Sequence, residues 1–221
     1  ICLDVRDIVW DYLTGSIIFN IYSFLLKNLF KSLVFKADII SVTNKAESEK
    51  VSLITGKEAL VVPNGISKER LKAFSSISLK SMQPEITISY IGNVGVAQEL
   101  DSFIDNISKI NNLKINIIGN GTNLKNLKKI TKKYKNLNIN FPGYVSQKEV
   151  FFYIKNSDIL FSNLGKNYSS AIPTKIFEYF AAGRRVLLGL PEGPAKEICK
   201  EFKGVKIFSF EKSNSFINSL N

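Results

Sequence analysis

The sequence has 221 residues, of which 45% are hydrophobic and 22% are charged, a composition typical of a folded protein and not of a disordered chain. Its net charge of +11 favours an anionic partner, such as a nucleic acid, an anionic lipid or a phosphorylated small molecule. The absence of histidine, together with only two cysteines, argues against a zinc site, a histidine-dependent catalytic triad and a disulfide framework.

The first 65 residues are predicted to form strands that alternate with helices. The opening strand ends in a polar loop that carries Asp4, Arg6 and Asp7. After a long helix, a strand, a second helix and a further strand follow, at residues 37–43, 44–56 and 59–67.

The most hydrophobic stretch of the chain is that long helix, at residues 16–35. Lys27 and Lys31 interrupt the run, so it lacks the continuous apolar span of a transmembrane helix. Two alternatives remain, namely a helix buried in a core and a helix that lies on a membrane surface. At 100° per residue the few polar side chains share one narrow face, formed by Ser16, Asn20, Ser23, Lys27 and Lys31.

Residues 66–84 are rich in serine and lysine and show little apolar periodicity, which predicts a linker that ends at Pro84. From residue 85 to residue 221, strands alternate regularly with helices, and this pattern predicts an α/β domain with a doubly wound parallel sheet. In such sheets, ligands bind beyond the carboxyl ends of the strands. The predicted strands are ITISYIG, KINIIG, NINFPGY, DILFSNL, RVLLGL and VKIFSF.

Two of these strands end in glycine-bearing turns, Gly92-Asn93-Val94-Gly95 and Gly119-Asn120-Gly121. Each turn is predicted to lead into a helix, at residues 96–110 and 123–134, whose free N–H groups could face a diphosphate. The same glycines also suit a tight turn that binds nothing. Neither turn matches G-x-G-x-x-G or the P-loop pattern, which argues against a NAD enzyme and an ATPase.

Residues 107–140 contain eight lysines and no acid. On the predicted helix these lysines lie away from the apolar face of Leu124, Leu127 and Ile130, which favours a solvated helix surface. The alternative is a surface for a nucleic-acid backbone, but Tyr134 is the only aromatic residue of this stretch that could stack on a base.

The segment IPTKIFEYFAAG is predicted to contain a helix that starts after Thr174, ends at Gly183 and carries one acid, Glu178. Phe177 stands three residues after Thr174, so Glu178 does not complete a capping box. The predicted buried face consists of Ile176, Phe177 and Phe180, with Ala181 beside them.

Glu178 projects away from that face, with Lys175 three residues before it. One interpretation is an ion pair on the protein surface. The other is a carboxylate that accepts hydrogen bonds from sugar hydroxyls, close to a lysine that faces a phosphate.

Four stretches resemble the C-terminal domain of retaining glycosyltransferases of the GT-B fold: ISYIGNVGVAQELDSFI, INIIGNGTNLKNL, INFPGYVSQKEVFFYIKNSDILFSNL and IPTKIFEYFAAGRRVLL. They look most similar to family-four (group 1) bacterial enzymes that build O-antigen and capsule by transferring amino sugars. Three earlier stretches resemble the last third of that family's N-terminal domain: DVRDIVWDYL, ADIISVTNKAESEKV and VVPNGIS.

The resemblance implies two Rossmann-like domains that face each other across a cleft. Residues 1–65 match the end of the N-terminal acceptor domain, and residues 85–221 match the domain that binds the nucleotide sugar. We therefore expect roughly a hundred further residues upstream of Ile1, so that this fragment alone is expected to be inactive.

The resemblance also implies the roles of individual residues. Glu178 matches the helix glutamate that binds the ribose hydroxyls, and Lys175 matches a cation near the diphosphate. The other implied donor-site residues are Gly92, Asn93 and Gly95 under the diphosphate and sugar, Gly119 and Gly121 in the nucleotide pocket, Gly143, Tyr144 and Val145 beside the base, and Ser170, Pro173 and Thr174 before the helix. Asp4, Arg6 and Asp7 are implied on the acceptor side as catalytic candidates, without an assigned base.

The sequence departs from the family pattern at the charged positions. The first of the family's paired acids falls at Ser170. The family's basic pair falls near Asn93 and Gln98, neither of which is charged. Neutralisation of the diphosphate is then expected from backbone donors, Lys175, and Arg184 or Arg6.

The resemblance therefore implies a retaining glycosyltransferase that moves an acetamido or deoxy sugar from a UDP donor to a glycan linked to polyprenyl diphosphate, in surface polysaccharide biosynthesis. It implies no metal and no cofactor besides the nucleotide sugar. Free thiols at Cys2 and Cys199 and the apolar helix at residues 16–35 fit a cytoplasmic enzyme at the inner face of the plasma membrane. The alternatives are a nucleotide-sugar epimerase of the same fold and a non-enzymatic basic module for nucleic acid or anionic lipid.

Overall fold

The computed structural model describes residues 1–13, 15–76 and 85–208 of the protein. The chain divides into two compact units. Unit 1 consists of Ile1–Gly65, Lys166–Pro173 and Pro191–Ile198, and unit 2 consists of Ile66–Gly165, Thr174–Leu190 and Cys199–Asn221. Two short segments of the predicted second domain therefore group with the first 65 residues.

Unit 1 is built on a parallel sheet with the strand order β1-β2-β3. Its strands are β1 (Cys2–Val5), β2 (Ile39–Val42) and β3 (Leu60–Val61), and the helices of its first 65 residues are α1 (Val9–Tyr12), α2 (Ile17–Phe35) and α3 (Lys45–Thr55). The apolar side chains of β1, β2 and α3 form one core with Trp10 and Phe30, whose ring centroids are 4.6 Å apart. The predicted alternation of strands and helices is confirmed here.

Helix α2 turns most of its apolar surface outward. Within this fully described helix only Phe30 and Val34 are buried, whereas Ser23 and Lys27 of the predicted polar face are half-buried. The interpretation of α2 as a buried core helix is therefore wrong for the described residues. The exposed apolar side chains are Ile17, Ile18, Phe19, Ile21, Tyr22, Phe24, Leu25, Leu29, Leu33 and Phe35.

By length and composition alone, α2 is also able to cross a membrane. Its two lysines do not exclude a span on this criterion, contrary to the sequence-based expectation. The criterion is a weak one, since the core helix of a soluble protein and a signal sequence near the N-terminus satisfy it as well.

Unit 2 is built on a parallel sheet with the strand order β6-β5-β4-β7-β8-β9. All of its described strand pairings are parallel, so the predicted α/β fold with a doubly wound sheet is confirmed. The strands are β4 (Ile86–Ile91), β5 (Leu113–Ile118), β6 (Asn138–Gly143), β7 (Ile159–Asn163), β8 (Arg185–Gly189) and β9 (Val205–Phe208). The remaining helices of the chain are α4 (Lys68–Ser75), α5 (Leu100–Ile107), α6 (Leu124–Thr131), α7 (Gln147–Lys155), α8 (Lys175–Ala181) and α9 (Pro194–Lys200).

Helix α4 lies inside the segment that the sequence suggests as a linker. It begins at a cap, where the Ser67 hydroxyl accepts the N–H of Arg70 at 3.2 Å. Phe74 is buried and packs edge-on against Phe151, with ring centroids 4.9 Å apart. Residues 68–75 of the suggested linker are therefore helical and packed, although the sequence showed little periodicity there, and residues 77–84 lie outside the described residues.

Helix α5 is shorter than predicted. A 3-10 turn at Val96–Gln98 follows the first glycine turn, and Glu99, with φ of +41°, separates it from the α-helix that begins at Leu100. The sequence predicted that the first glycine turn leads directly into an α-helix. In the structure the 3-10 turn lies between them.

Candidate functional site

The turns that follow β4, β5 and β6 meet at one edge of the unit 2 sheet, because these strands are parallel neighbours. Backbone hydrogen bonds join the turns to one another. The bonds run from Gly92 N–H to Ile118 O at 2.9 Å, from Val94 N–H to Asn120 O at 2.8 Å and from Gly119 N–H to Gly143 O at 2.8 Å. The structure thus brings the predicted glycines of all three turns together.

Two of these glycines are required because the turns after β4 and β5 pack closely. A Cβ atom at Gly119 would lie 1.9 Å from the carbonyl oxygen of Gly92, and Gly119 has φ of +128°. A Cβ atom at Gly121 would lie 2.3 Å from the carbonyl oxygen of Val94. At both positions the contact between turns accounts for glycine without a ligand.

Several N–H groups of the turns are already used within the protein. In addition to the three bonds between turns, the N–H of Gly95 donates to Oε1 of Gln98 at 3.0 Å. The N–H groups of Gly92, Gly95 and Gly119 therefore have partners within the protein, whereas the sequence suggested turns with free N–H groups. A role of these glycines in binding a diphosphate stays a prediction.

Tyr144 follows β6 and is 85% exposed, so its ring is accessible for stacking. It stands between Gly143, which has φ of +79°, and the half-buried Val145.

Helix α8 presents a different buried face from the predicted one. The structure buries Ile176, Tyr179 and Ala182, whereas Phe177 and Phe180 are only half-buried. The hydroxyl of Tyr179 accepts the N–H of Ile91 at 3.0 Å and also contacts its carbonyl oxygen at 3.3 Å. These contacts tie α8 to the end of β4, one residue before Gly92, and burial raises the pKa of Tyr179.

The ends of α8 follow the sequence prediction. The side chain of Thr174 makes no capping hydrogen bond with any described residue, in agreement with the missing capping box. Gly183 follows the helix with φ of +63°, the left-handed conformation in which helices commonly end.

Glu178 lies between two cations. Its Oε2 is 3.1 Å from Nζ of Lys175, and its Oε1 is 3.1 Å from Nη2 of Arg70. The Glu178 side chain is only 15% exposed. An ion pair with Lys175 was one of the two interpretations of Glu178, whereas no local pattern indicated Arg70, because its segment shows little apolar periodicity.

The other predicted phosphate cations are engaged elsewhere. Arg184 precedes β8, so it lies at the amino end of that strand, and it donates to the carbonyl oxygen of Lys155. The expectation that Arg184 neutralises a ligand at the carboxyl edge is therefore wrong. Arg6 belongs to unit 1, where it donates to Asp4 at 2.6 Å and to Asn64 at 2.8 Å.

The three polar residues at the end of β1 make two separate sets of contacts in unit 1. Asp4 accepts hydrogen bonds from Ser41 at 2.7 Å and from Arg6, and these bonds lower the pKa of its carboxyl group. Asp7 accepts a bond from Tyr12 at 3.4 Å, while burial raises the pKa of Asp7.

Ser170 and Pro173 also belong to unit 1, whereas Thr174 begins the α8 segment of unit 2. Ser170 is buried, and its carbonyl oxygen accepts a bond from Nδ2 of Asn44 at 3.0 Å. Oδ1 of the same Asn44 accepts the N–H of Glu47 at 3.1 Å.

Glu47 is a fully buried carboxylate that the sequence analysis missed. Its Oε2 accepts bonds from the N–H and the hydroxyl of Thr43, at 2.9 and 2.6 Å, and its Oε1 has no hydrogen-bond partner among the described residues. A local signal was available in the sequence. Asn44 caps a helix and an acid follows three residues later, a spacing typical of a helix start.

Burial raises the pKa of Glu47, although the bonds from Thr43 lower it in part. A raised folded-state pKa stabilises the fold below the unfolded-state pKa, and this contribution is lost as the pH rises through the folded-state value. We therefore expect the stability of Glu47→Gln relative to the wild type to increase as the pH rises from about 4, near the unfolded-state pKa of glutamate, through the folded-state pKa. Thermal unfolding across this range measures the gain.

Glu49→Gln is the matched control, since Glu49 is exposed on the same helix and lies 3.9 Å from Lys45. It should follow the wild type at every pH. A constant difference between Glu47→Gln and the wild type across the range would contradict the burial argument.

The described residues contain no group of three or more histidine, cysteine, aspartate or glutamate side chains that could hold a metal ion. Cys2 and Cys199 are both free, as predicted. The lysines of α6 are exposed, which is compatible both with a solvated helix surface and with a surface for a nucleic-acid backbone.

A family profile described as Glycosyl transferases group 1 matches residues 72–220. Among curated protein sequences, none matches the chain significantly.

Solved structures similar to this chain include the following three proteins. HepE of Anabaena, in complex with UDP and glucose, has a TM-score of 0.69 at 13% identity, covering 98% of this chain and 60% of that chain. Sucrose-phosphate synthase of Thermosynechococcus elongatus has a TM-score of 0.74 at 12% identity, covering 99% and 57%. WaaG, described as a glycosyltransferase involved in lipopolysaccharide biosynthesis, has a TM-score of 0.60 at 16% identity, covering 80% and 52%.

At these identities the likeness to solved structures shows the fold alone. The chain spans about 52 to 60% of the length of these proteins.

Proposed function

The chain belongs to the glycosyl transferases group 1 family, and from this premise we propose that it is part of a retaining glycosyltransferase that transfers a sugar from a UDP donor to a glycan. Unit 2 binds the nucleotide in this proposal. The protein positions the nucleotide sugar and supplies positive charge near its diphosphate. The bond that breaks is the one between the sugar and the diphosphate of the donor.

The position of Glu178 is the observation that carries the proposal. Its carboxylate is held at the carboxyl edge of the unit 2 sheet by α8, which Tyr179 ties to the end of β4. A carboxylate is an acceptor-only group, suited to the hydroxyls of a ribose. Lys175 beside it supplies positive charge for a diphosphate.

The same arrangement suits the departure of the diphosphate. Negative charge grows on the diphosphate as the bond to the sugar breaks, and Lys175 stabilises that charge. Tyr144 provides a ring on which the base stacks. Asp4, Arg6 and Asp7 of unit 1 remain the candidates for binding the acceptor, on the basis of the family resemblance.

The choice of UDP is supported by HepE, whose structures hold UDP, UDP with glucose, and UDP-glucose. The proposal of an acetamido or deoxy sugar rests on the resemblance to O-antigen and capsule enzymes.

A lipid-linked acceptor at the cytoplasmic face of the membrane is the further part of the proposal. It is supported by the outward apolar surface of α2, by the exposed Lys31 on this helix and by the exposed Lys36 directly after it. We expect the protein to sediment with vesicles that contain anionic phosphatidylglycerol. A protein that stays in the supernatant with these vesicles contradicts the membrane proposal and leaves nucleotide binding untouched.

Isothermal titration of the full-length protein with UDP-, GDP- and dTDP-sugars tests the function. We expect binding of UDP-sugars, with weak dependence on salt. Binding of none of the three nucleotides contradicts the proposal, and a steep loss of polyanion binding with salt favours the basic-module alternative. Conversion of the UDP-sugar to its epimer without transfer favours the epimerase alternative.

A further inference from the structure

The backbone of Arg70 is held in place because its helix is capped and packed. Its N–H is bonded to the Ser67 cap, and Phe74 of the same helix is buried against Phe151. The Arg70 side chain is 31% exposed, so its guanidinium lies at the surface of unit 2 and still has access to solvent. The helix therefore presents this cation to Glu178 in a defined place.

The guanidinium of Arg70 has unused hydrogen-bonding capacity. Nη2 contacts Glu178 at 3.1 Å, but Nε is buried and has no hydrogen-bond partner among the described residues. A buried donor without an acceptor is costly, and the cost is larger when the group is charged. The described residues therefore leave Nε available to another acceptor.

The charges around Glu178 do not balance. One carboxylate is shared by two cations, Arg70 and Lys175, so the cluster carries one surplus positive charge. The neighbouring turn is uncharged at Asn93 and Gln98, and its N–H groups at Gly92 and Gly95 are already bonded. Arg70 and Lys175 are thus a source of positive charge beside Glu178, whose helix Tyr179 ties to the strand before this turn.

We propose that Arg70 is a donor-binding residue that ligates the diphosphate of the nucleotide. Without nucleotide, its guanidinium pairs with Glu178. When the ribose hydroxyls donate to Glu178, the guanidinium turns to the diphosphate oxygens, for which its planar fork is well suited. This inference rests on the proposed function and adds to it the group that replaces the missing basic pair.

Titration with UDP, and with uridine in competition against UDP, separates the roles of Arg70. We expect Arg70→Gln to weaken the binding of UDP about tenfold or more and to leave uridine binding within about twofold. Arg70→Lys should recover part of the loss, because it keeps the charge but not the fork. Lys72→Gln is the matched control, since Lys72 is exposed on the same helix and its replacement removes the same charge.

The outcomes distinguish this inference from the proposed function. Equal losses for UDP and uridine in Arg70→Gln would mean that Arg70 only positions Glu178, and would overturn ligation of the diphosphate. Unchanged UDP binding in Arg70→Gln, with binding lost in Glu178→Ala, would overturn the inference and leave the proposed function standing. If the wild type binds no UDP, both fall. Thermal unfolding of each variant confirms that a loss is not a loss of folding.

Discussion

Replacing Gly119 by alanine is expected to separate the turns after β4 and β5 and to lower the free energy of unfolding of unit 2 by about 4 kcal/mol or more. The new Cβ would lie 1.9 Å from the carbonyl oxygen of Gly92, which is a backbone atom and cannot rotate away. The φ angle of +128° adds strain for any residue with a side chain. Urea unfolding of the wild type and the variant measures the loss.

Gly204→Ala separates the clash from the strain. Gly204 also belongs to unit 2 and has φ of +82°, but its Cβ position meets nothing within 4 Å in the described part of the chain. This control should cost about 1–2 kcal/mol through backbone strain alone. If Gly119→Ala is as mild as Gly204→Ala, the close packing of the two turns is not what requires glycine.

Replacing Glu178 by alanine is expected to weaken the binding of UDP about 100-fold, since two hydrogen bonds to a charged acceptor contribute together about 3 kcal/mol. Isothermal titration measures the affinity.

Glu178→Gln is the conservative comparison. It keeps the shape and one acceptor oxygen but removes the charge, so it should bind UDP with an affinity between those of the wild type and Glu178→Ala. An alanine variant that binds UDP as tightly as the wild type would contradict a role for Glu178 in nucleotide binding.

The sheet of unit 2 was predictable because its signal is local. Each strand is a short apolar run bounded by turn residues, and the helices between the runs have the length of crossover connections. Parallel pairing follows from that alternation, and the structure confirms it from β4 to β9.

The requirement for glycine at positions 119 and 121 was less predictable, because it arises from the contact between two turns. The sequence located Gly119 and Gly121 after a strand, but their need for glycine comes from the carbonyl oxygens of Gly92 and Val94. These residues are more than 25 positions away in the chain, a separation that no local pattern reveals.

The buried face of α8 shows a second limit. The periodic apolar residues suggested Phe177 and Phe180, whereas the structure buries Tyr179, whose hydroxyl is satisfied by the backbone of Ile91. A buried tyrosine usually has a hydrogen-bond partner for its hydroxyl. Here that partner lies on β4, so the sequence of α8 alone does not reveal it.

Arg70 and Glu47 were missed for related reasons. Arg70 is of interest because it pairs with Glu178, and that residue is distant in the sequence. Glu47 did carry a local signal, since Asn44 stands three residues before it and caps the helix. The cap could have been predicted, but the complete burial of the carboxylate depends on the packing of unit 1.

Titration of the full-length protein with UDP and with 2′,3′-dideoxy-UDP tests the central claim most directly. The two ligands differ only in the ribose hydroxyls that Glu178 is proposed to bind. We predict that the wild type prefers UDP about 100-fold and that Glu178→Ala binds both ligands with the same weak affinity. Equal binding of both ligands by the wild type, or an undiminished preference for UDP in Glu178→Ala, would contradict the claim that Glu178 is the ribose ligand of a nucleotide-sugar site.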